Sequence, residues 1–434
     1  MKNYKFLVPL ALVVIFILSV YMVYDAEATK QEKYETAIAT ARDASSKEIW
    51  VDAEAAYMQA LEVMPSVELY HEIGQFYYHS GALHTAMQWG GSMVEKYPMA
   101  PLSYEYVIAV LASSENFIEC FKYADQMHKR GVQSEAVEAV MSRIEYTYFF
   151  NGSYTDVGVF CGGYCPVKKG DKWGYIDLTG KMKISAEFQK AGLFVGGLAP
   201  IVNQENEAYF IDAEGNKKMV VSDVENIEEL GLIADGVFAL SDGKTWSFYN
   251  EESEFLFGPY EEVAAIGNGW GAAKSNGKWI IVDKTGNTLN SEKYDAVAID
   301  AKGLVYANDR IFVSYGNEYR MLDGQGTMIF TEGIDDVKPF NDATYAAVEI
   351  DGNWGFIDNN GAIVIDCEYE DARSFSNGLA AVKSGEMWGF IDLNGNMVIE
   401  PQFEDAKDFS SGGSVFVKTS SEEWSLLRLC KYCE

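Results

Sequence analysis

Three hydrophobic patterns follow one another along the chain. From Phe6 to Tyr24 the run FLVPLALVVIFILSVYMVY holds nineteen residues without a charge, which at about 1.5 Å per helical residue spans about 28 Å, close to one bilayer core. Lys2 and Lys5 precede it and Asp25 and Glu27 follow it, so the positive-inside tendency keeps the N-terminus cytoplasmic and sends the rest across. A secretory signal peptide is the alternative, because Ala26, Glu27 and Ala28 fit a small-x-small cleavage site. Either reading exports residues 30–434: a single-pass protein of the cell membrane if the segment stays, a secreted one if it is cleaved. From Glu32 to Phe150 apolar residues recur at helical spacing, and Pro65 and Pro98 fall where helix pairs would end. Beyond Tyr154 the spacing changes to strand alternation broken by Gly and Asp-x-x-Gly turns. The expected architecture is multidomain: an anchor or signal peptide at 1–28, helical hairpins at 31–150 and an all-β region at 154–434.

Within the helical segment, small residues Ala56 and Ala60 flank Tyr57, and a second unit places Gly74, Tyr77, Gly81 and Ala86 at comparable points. A third, looser unit has Tyr104, Ala109 and Tyr123-Ala124. These intervals resemble a tetratricopeptide repeat, whose period is about 34 residues. The resemblance implies stacked helix pairs with a concave peptide-binding surface, for which Tyr70, Tyr77 and Trp89, with Phe76 and Tyr78, are groove candidates. The same aromatics at helical spacing suit a core equally well, and a plain helical stalk is the alternative. All four histidines, His71, His79, His84 and His128, lie here without the i, i+4 spacing of a helical metal site.

The β region repeats itself. Trp354 opens NWGFIDNNGAIVIDCEYEDARSF, Trp388 opens MWGFIDLNGNMVIEPQFEDAKDF, and Trp173 opens KWGYIDLTGKMKISAEFQKAGLF. Degenerate copies begin at Tyr209, Trp246, Trp279, Tyr319 and Trp424, at spacings of 36, 37, 33, 40, 35, 34 and 36. This region resembles the WG-repeat family, named for the pair intact at Trp173-Gly174, Trp354-Gly355 and Trp388-Gly389. The resemblance implies a repeat module of mainly bacterial proteins and no particular substrate. Trp173, Trp246, Trp279, Trp354, Trp388 and Trp424 are expected as structural residues of the repeat, because a residue placed alike in every unit is usually packed. Each copy reads as a small antiparallel sheet whose Asp-x-x-Gly turn uses Asp177, Asp212, Asp283, Asp323, Asp358 or Asp392. One carboxylate per turn fits turn chemistry better than calcium, which needs six to eight oxygens.

The first phrase of the region, Tyr154 to Val157, aligns with Tyr369 to Ala372, so the region starts midway through a unit; it ends at Trp424 to Leu429, short of the next turn. Ends in different phases suit a closed ring in which both contribute to one blade, so a β-propeller of seven or eight blades is favoured over a β-solenoid. About 35 residues per repeat is short against the usual 40 to 50, and demands three-stranded or very tight blades. Closure would bring Cys161 and Cys165 near Cys430 and Cys433, making these four the candidate disulfide partners. Local bonds within each pair, free thiols or a zinc site are the alternatives.

Lys and Arg number 34 against 65 Asp and Glu, a formal charge of −31. Residues 151–434 hold 23 basic and 46 acidic residues, so this region alone is −23, which disfavours nucleic acid and favours cationic partners. No histidine lies beyond His128, and neither a G-x-x-x-x-G-K-S/T loop nor a G-x-S-x-G elbow occurs. The expected function is a non-enzymatic, membrane-anchored extracytoplasmic scaffold without a cofactor, gripping a protein or peptide of the cell envelope. Recognition of cell-wall carbohydrate through exposed aromatics is the alternative.

Overall fold

The computed structural model describes residues 4–221, 227–341, 344–419 and 422–433. The chain divides into two compact units, Met1–Thr147 and Tyr148–Cys433. Among the described residues the first holds seven helices: α1 Tyr4–Ser46, α2 Trp50–Val63, α3 Val67–His79, α4 Leu83–Lys96, α5 Pro101–Ser113, α6 Phe117–Lys129 and α7 Glu135–Ile144. Ser66 caps α3 by accepting from the Leu69 amide, Pro101 sits in the first turn of α5, and Ser134 caps α7 through Val137 N. Small residues set the spacing between helices. A side chain at Gly74 would run into the Tyr106 ring, and a Cβ at Gly90 would lie 2.8 Å from Val107 Cγ2. Ala37, Ile38, Ala41 and Ala44 of α1 share a core with Ala53, Ala56 and Tyr57 of α2 and Ile73 and Phe76 of α3.

The apolar run at 6–24 is the front of this 43-residue α1, which continues without a break through Asp25, Glu27, Lys30 and Lys33. The side chains of residues 6–15 and 17 lie outside the described ones. Among the described residues no helix is long and apolar enough to cross a membrane. That finding corrects the expected transmembrane helix, and with it the single-pass, membrane-anchored localisation.

The second unit is an eight-bladed β-propeller. Among the described residues its strands form eight sheets, seven of four strands and one of three. The blades span 156–188, 190–220, 229–260, 262–282, 296–334, 336–369 and 371–403, and the eighth combines 405–429 with 148–154. Its order is Tyr148–Tyr154, Trp424–Leu429, Ser414–Lys418, Asp405–Ala406, so the first and last strands of the unit pair with each other. Every blade touches the next, the eighth meeting the first through Tyr148–Tyr154 and Tyr164–Lys169. Joined ends exclude the solenoid alternative. The short repeat is accommodated by first strands of only two residues, as in Asp156–Val157, Lys190–Ala191, Ala296–Val297, Asp371–Ala372 and Asp405–Ala406.

The Trp-Gly pair has a backbone cause. Trp173 faces Phe188 while Tyr175 faces Ile184, so the one residue Gly174 opposes three on the next strand and a bulge arches over it. A Cβ on Gly174 would lie 2.6 Å from Ile184 O and 2.7 Å from Ala186 N; on Gly389, 2.6 Å from Ile399 O. A looser copy moves the glycine across the bulge: Ser247 replaces the pair's Gly, and a Cβ on Gly258 of the facing strand would lie 2.7 Å from Ser247 Oγ.

The Asp-x-x-Gly turns also explain themselves. Asp392 Oδ1 accepts from Asn394 N and Asn396 N at 2.9 Å, while Gly395 takes φ +80°. The same pattern holds at Asp177, Asp212, Asp283, Asp323 and Asp358. Lys218 pulls Asp212 down to about 2. At Asp177, Asp283, Asp323 and Asp392 burial pushes upward, but hydrogen bonds to the ionised form outweigh it and leave these carboxyls low. A folded-state value below the unfolded one gives stability that is present at neutral pH and lost as pH falls through the folded values. Thermal unfolding of the chain should therefore drop steeply below a pH of about 4, the unfolded carboxylate range, and a midpoint flat from there down to about 2 would contradict these turn contacts.

Candidate functional site

Loops that follow the short first strands converge on the ring axis. Val159 to Gly163 of the first blade, Ala301 and Lys302 of the fifth, Asn341 of the sixth, Ser376 and Asn377 of the seventh and Asp408 to Ser411 of the eighth line one cavity of about 410 Å³. Residues from blades one and five can share a cavity only at the centre. The fifth blade reaches inward as the turn 300–304, where Asp300 Oδ1 accepts from Lys302 N and Leu304 N and Ala265 forms a parallel bridge to Leu304. A second cavity of about 310 Å³, lined by blades two to four and Leu304, lies against this same turn.

Charge is concentrated here. Burial raises the Asp300 carboxyl above its ordinary range, against the pull of the Leu304 and Lys302 amides. Burial likewise raises Asp408, against Arg373, Lys302 and Lys407. The Oδ1 of Asp408 is shut off from solvent and accepts no hydrogen bond from the described residues; the residue as a whole is half-buried and lines this cavity and a neighbouring one. The neighbouring cations are engaged elsewhere. Lys302 Nζ donates to Asn341 O at 3.3 Å, and Arg373 donates through Nε to Ala406 O and lies 3.4 Å from Asp405. Lys407, lowered by burial and then by Arg373, sits 4.7 Å over the Trp424 ring. With no histidine beyond residue 128, the cavity holds no nucleophile–imidazole pair. It offers a recess of mixed lining in which Lys302 and Asp408 sit beside Val159, Phe160 and Phe409.

The repeat tryptophans are packed within the blades. Trp279, Trp354, Trp388 and Trp424 are buried, and a cation covers each ring: Lys274, Lys338, Arg373 and the pair Lys407 and Lys418. Trp173 and Trp246 are half-buried at the same place in their blades. The family model described as WG containing repeat matches residues 153–173, 173–206, 354–387 and 388–419. The ring thus carries WG repeats. No curated protein matches it. Among solved structures, the ring is similar to BamB from Moraxella catarrhalis, at 12% identity over 63% of this chain and 84% of that chain, TM-score 0.33. It is also similar to Hsv2p of Kluyveromyces lactis, at 10% identity over 56% and 93%, TM-score 0.38. A eukaryotic initiation factor is similar at 11% identity over 58% and 77%, TM-score 0.42. Nothing about binding or activity follows from these likenesses.

In the helical unit the groove candidates Tyr70, Phe76, Tyr77 and Trp89 are packed against one another, while Tyr78 is exposed. Tyr70 and Tyr77 are buried, Tyr70 stacks on Trp89 at 5.0 Å, and Trp89 Nε1 donates to Tyr70 O at 2.7 Å. Their faces belong to the core rather than to a groove. In the ring, Cys165 is a buried thiol among Val167, Ile176 and Leu426, and Cys161 is a half-buried thiol on the axial cavity. Cys430 is buried in the short helix Cys430–Tyr432 and Cys433 follows it. Sequence reasoning did not single out Asp300, Lys302, Arg373 or Asp408. A signal was present: the spacing of 40 from Trp279 to Tyr319 is the longest in the series and marks the inward turn of the fifth blade. Lys338 also ends, and Arg373 and Lys407 directly follow, the first strands of three successive blades, where the first two blades have Gly158 and Gly192.

Proposed function

We propose that this protein is a non-enzymatic protein-interaction platform whose ring receives a segment of a partner at its axial cavity. β-Propellers generally serve protein–protein contact, and the observation that carries this reading is the convergence of loops from five blades on one cavity that holds both charged and apolar side chains. A rigid frame of paired sheets holding variable loops is the usual way a fold presents a binding surface. The ring's charge of −23 steers positively charged segments toward it. The helical unit adds a second surface, though not through Tyr70, Tyr77 or Trp89.

A photo-crosslinking residue at Ser411, exposed at the cavity, should give discrete adducts with a partner protein in cells. The same residue at Ile363, exposed on an outer strand at 49%, should not. Equal labelling at both positions, or none at Ser411, would count against the platform.

A further inference from the structure

We infer that the axial cavity accepts one basic side chain, an arginine guanidinium or lysine ammonium from the partner polypeptide, with its charge on Asp408; this rests on the platform reading above. A carboxylate with one oxygen cut off from water and undonated is a costly arrangement unless a donor is supplied. None of the nearby cations supplies it to Oδ1. Arg373 is held by Ala406 O, Asp405 and the face of Trp388, Lys407 lies over Trp424, and Lys302 donates to Asn341. The terminal torsion of aspartate is soft, so a modest rotation turns Oδ1 toward an entering donor. A guanidinium can then take both carboxylate oxygens.

The walls agree with such a guest. Ser376, Ser410, Asn341 and Asn377 line the same cavity beside Asp408 and offer neutral partners for the remaining N–H groups. A calcium or magnesium ion is a poor fit, since among the described residues Asp408 is the one carboxylate lining this cavity and Asp300 is committed to its own turn amides, against the six to eight oxygens such an ion takes. A free anion would meet the unscreened Asp408. Lys302 acts as an internal competitor: its ammonium shares the cavity with the guest.

Calorimetric titration of the full chain with blocked arginine, blocked lysine and blocked citrulline separates these claims. Arginine or lysine should bind saturably at one site, and citrulline, which keeps the shape without the charge, at least tenfold more weakly. Asp408→Asn should weaken arginine binding at least tenfold without lowering the melting temperature, while Lys302→Met should strengthen it. The inference is overturned if citrulline binds as well as arginine, if Asp408→Asn keeps full affinity, or if no blocked amino acid saturates the native chain. The citrulline comparison needs no variant, so it decides even where Asp408→Asn folds poorly. Unchanged Ser411 crosslinking in Asp408→Asn would sink the basic-guest inference and leave the platform standing; absence of crosslinking in the native chain would sink the platform itself.

Discussion

Leu426→Asp is expected to unfold the ring at ambient temperature or to cost about 4 kcal/mol or more, since a buried carboxylate would replace a core side chain and have no partner. Leu426 is wholly buried and packs with Val157, Cys165, Val167 and Ile176 of the first blade and Phe416 and Trp424 of the eighth. This cluster is the seam where the two ends of the ring meet. Were the repeats an open stack, Leu426 would stand near an exposed end and tolerate a charge with little loss. Urea unfolding of the full chain measures the difference, and a midpoint within the error of the native one would mean that the seam does not exist.

Gly389→Ala should cost about 3 kcal/mol, a large effect for one methyl group, because the bulge it meets is backbone and can yield only by breaking its ladder. The added Cβ would lie 2.6 Å from Ile399 O and 2.9 Å from Pro401 N. Gly378→Ala is the informative control. Its φ is +77° and nothing lies within 4 Å of a Cβ there, so it carries only the left-handed backbone penalty of about 1 kcal/mol. Equal losses from the two variants would show that the glycine of the Trp-Gly pair is needed for its torsion angles and not for the close approach of the next strand.

Much of the ring was legible because its determinants are local. Asp392 and Gly395 specify a turn within four residues, and Trp388 and Gly389 specify a strand with a bulge opposite. The phase difference between Tyr154 and Trp424 carried the closure, since a ring shares one blade between its ends. The phrases ending in Asp371-Ala372 and Asp405-Ala406 mark first strands that narrow to two residues, which is how a repeat of about 35 residues still builds four strands. The loops beyond those short strands could not be read in the same way. Asp408 and Lys302 lie 106 positions apart in sequence, and only the completed ring brings them to one cavity.

The helical unit shows the opposite limit. Tyr70, Tyr77 and Trp89 have the same spacing whether they line a groove or fill a core, and only packing, with Trp89 bonded to Tyr70 O, decides for the core. At the front of α1 a window of nineteen uncharged residues matched a bilayer length. The helix itself runs on to Ser46, and its later turns pack Ala37, Ile38 and Ala41 against α2. Length and hydropathy of a window do not say where a helix stops.

The closed ring is tested most directly by joining its ends. Ser153 and Ser425 are direct antiparallel partners on Tyr148–Tyr154 and Trp424–Leu429, and such pairs fall within the Cα range of about 4.4 to 6.8 Å that a disulfide accepts. In the chain carrying Ser153→Cys and Ser425→Cys, mild oxidation followed by non-reduced peptide mapping should yield the bridged 153–425 peptide as the main product. Recovery of both new thiols unbridged, under conditions that leave the chain folded, would show that the two ends do not meet.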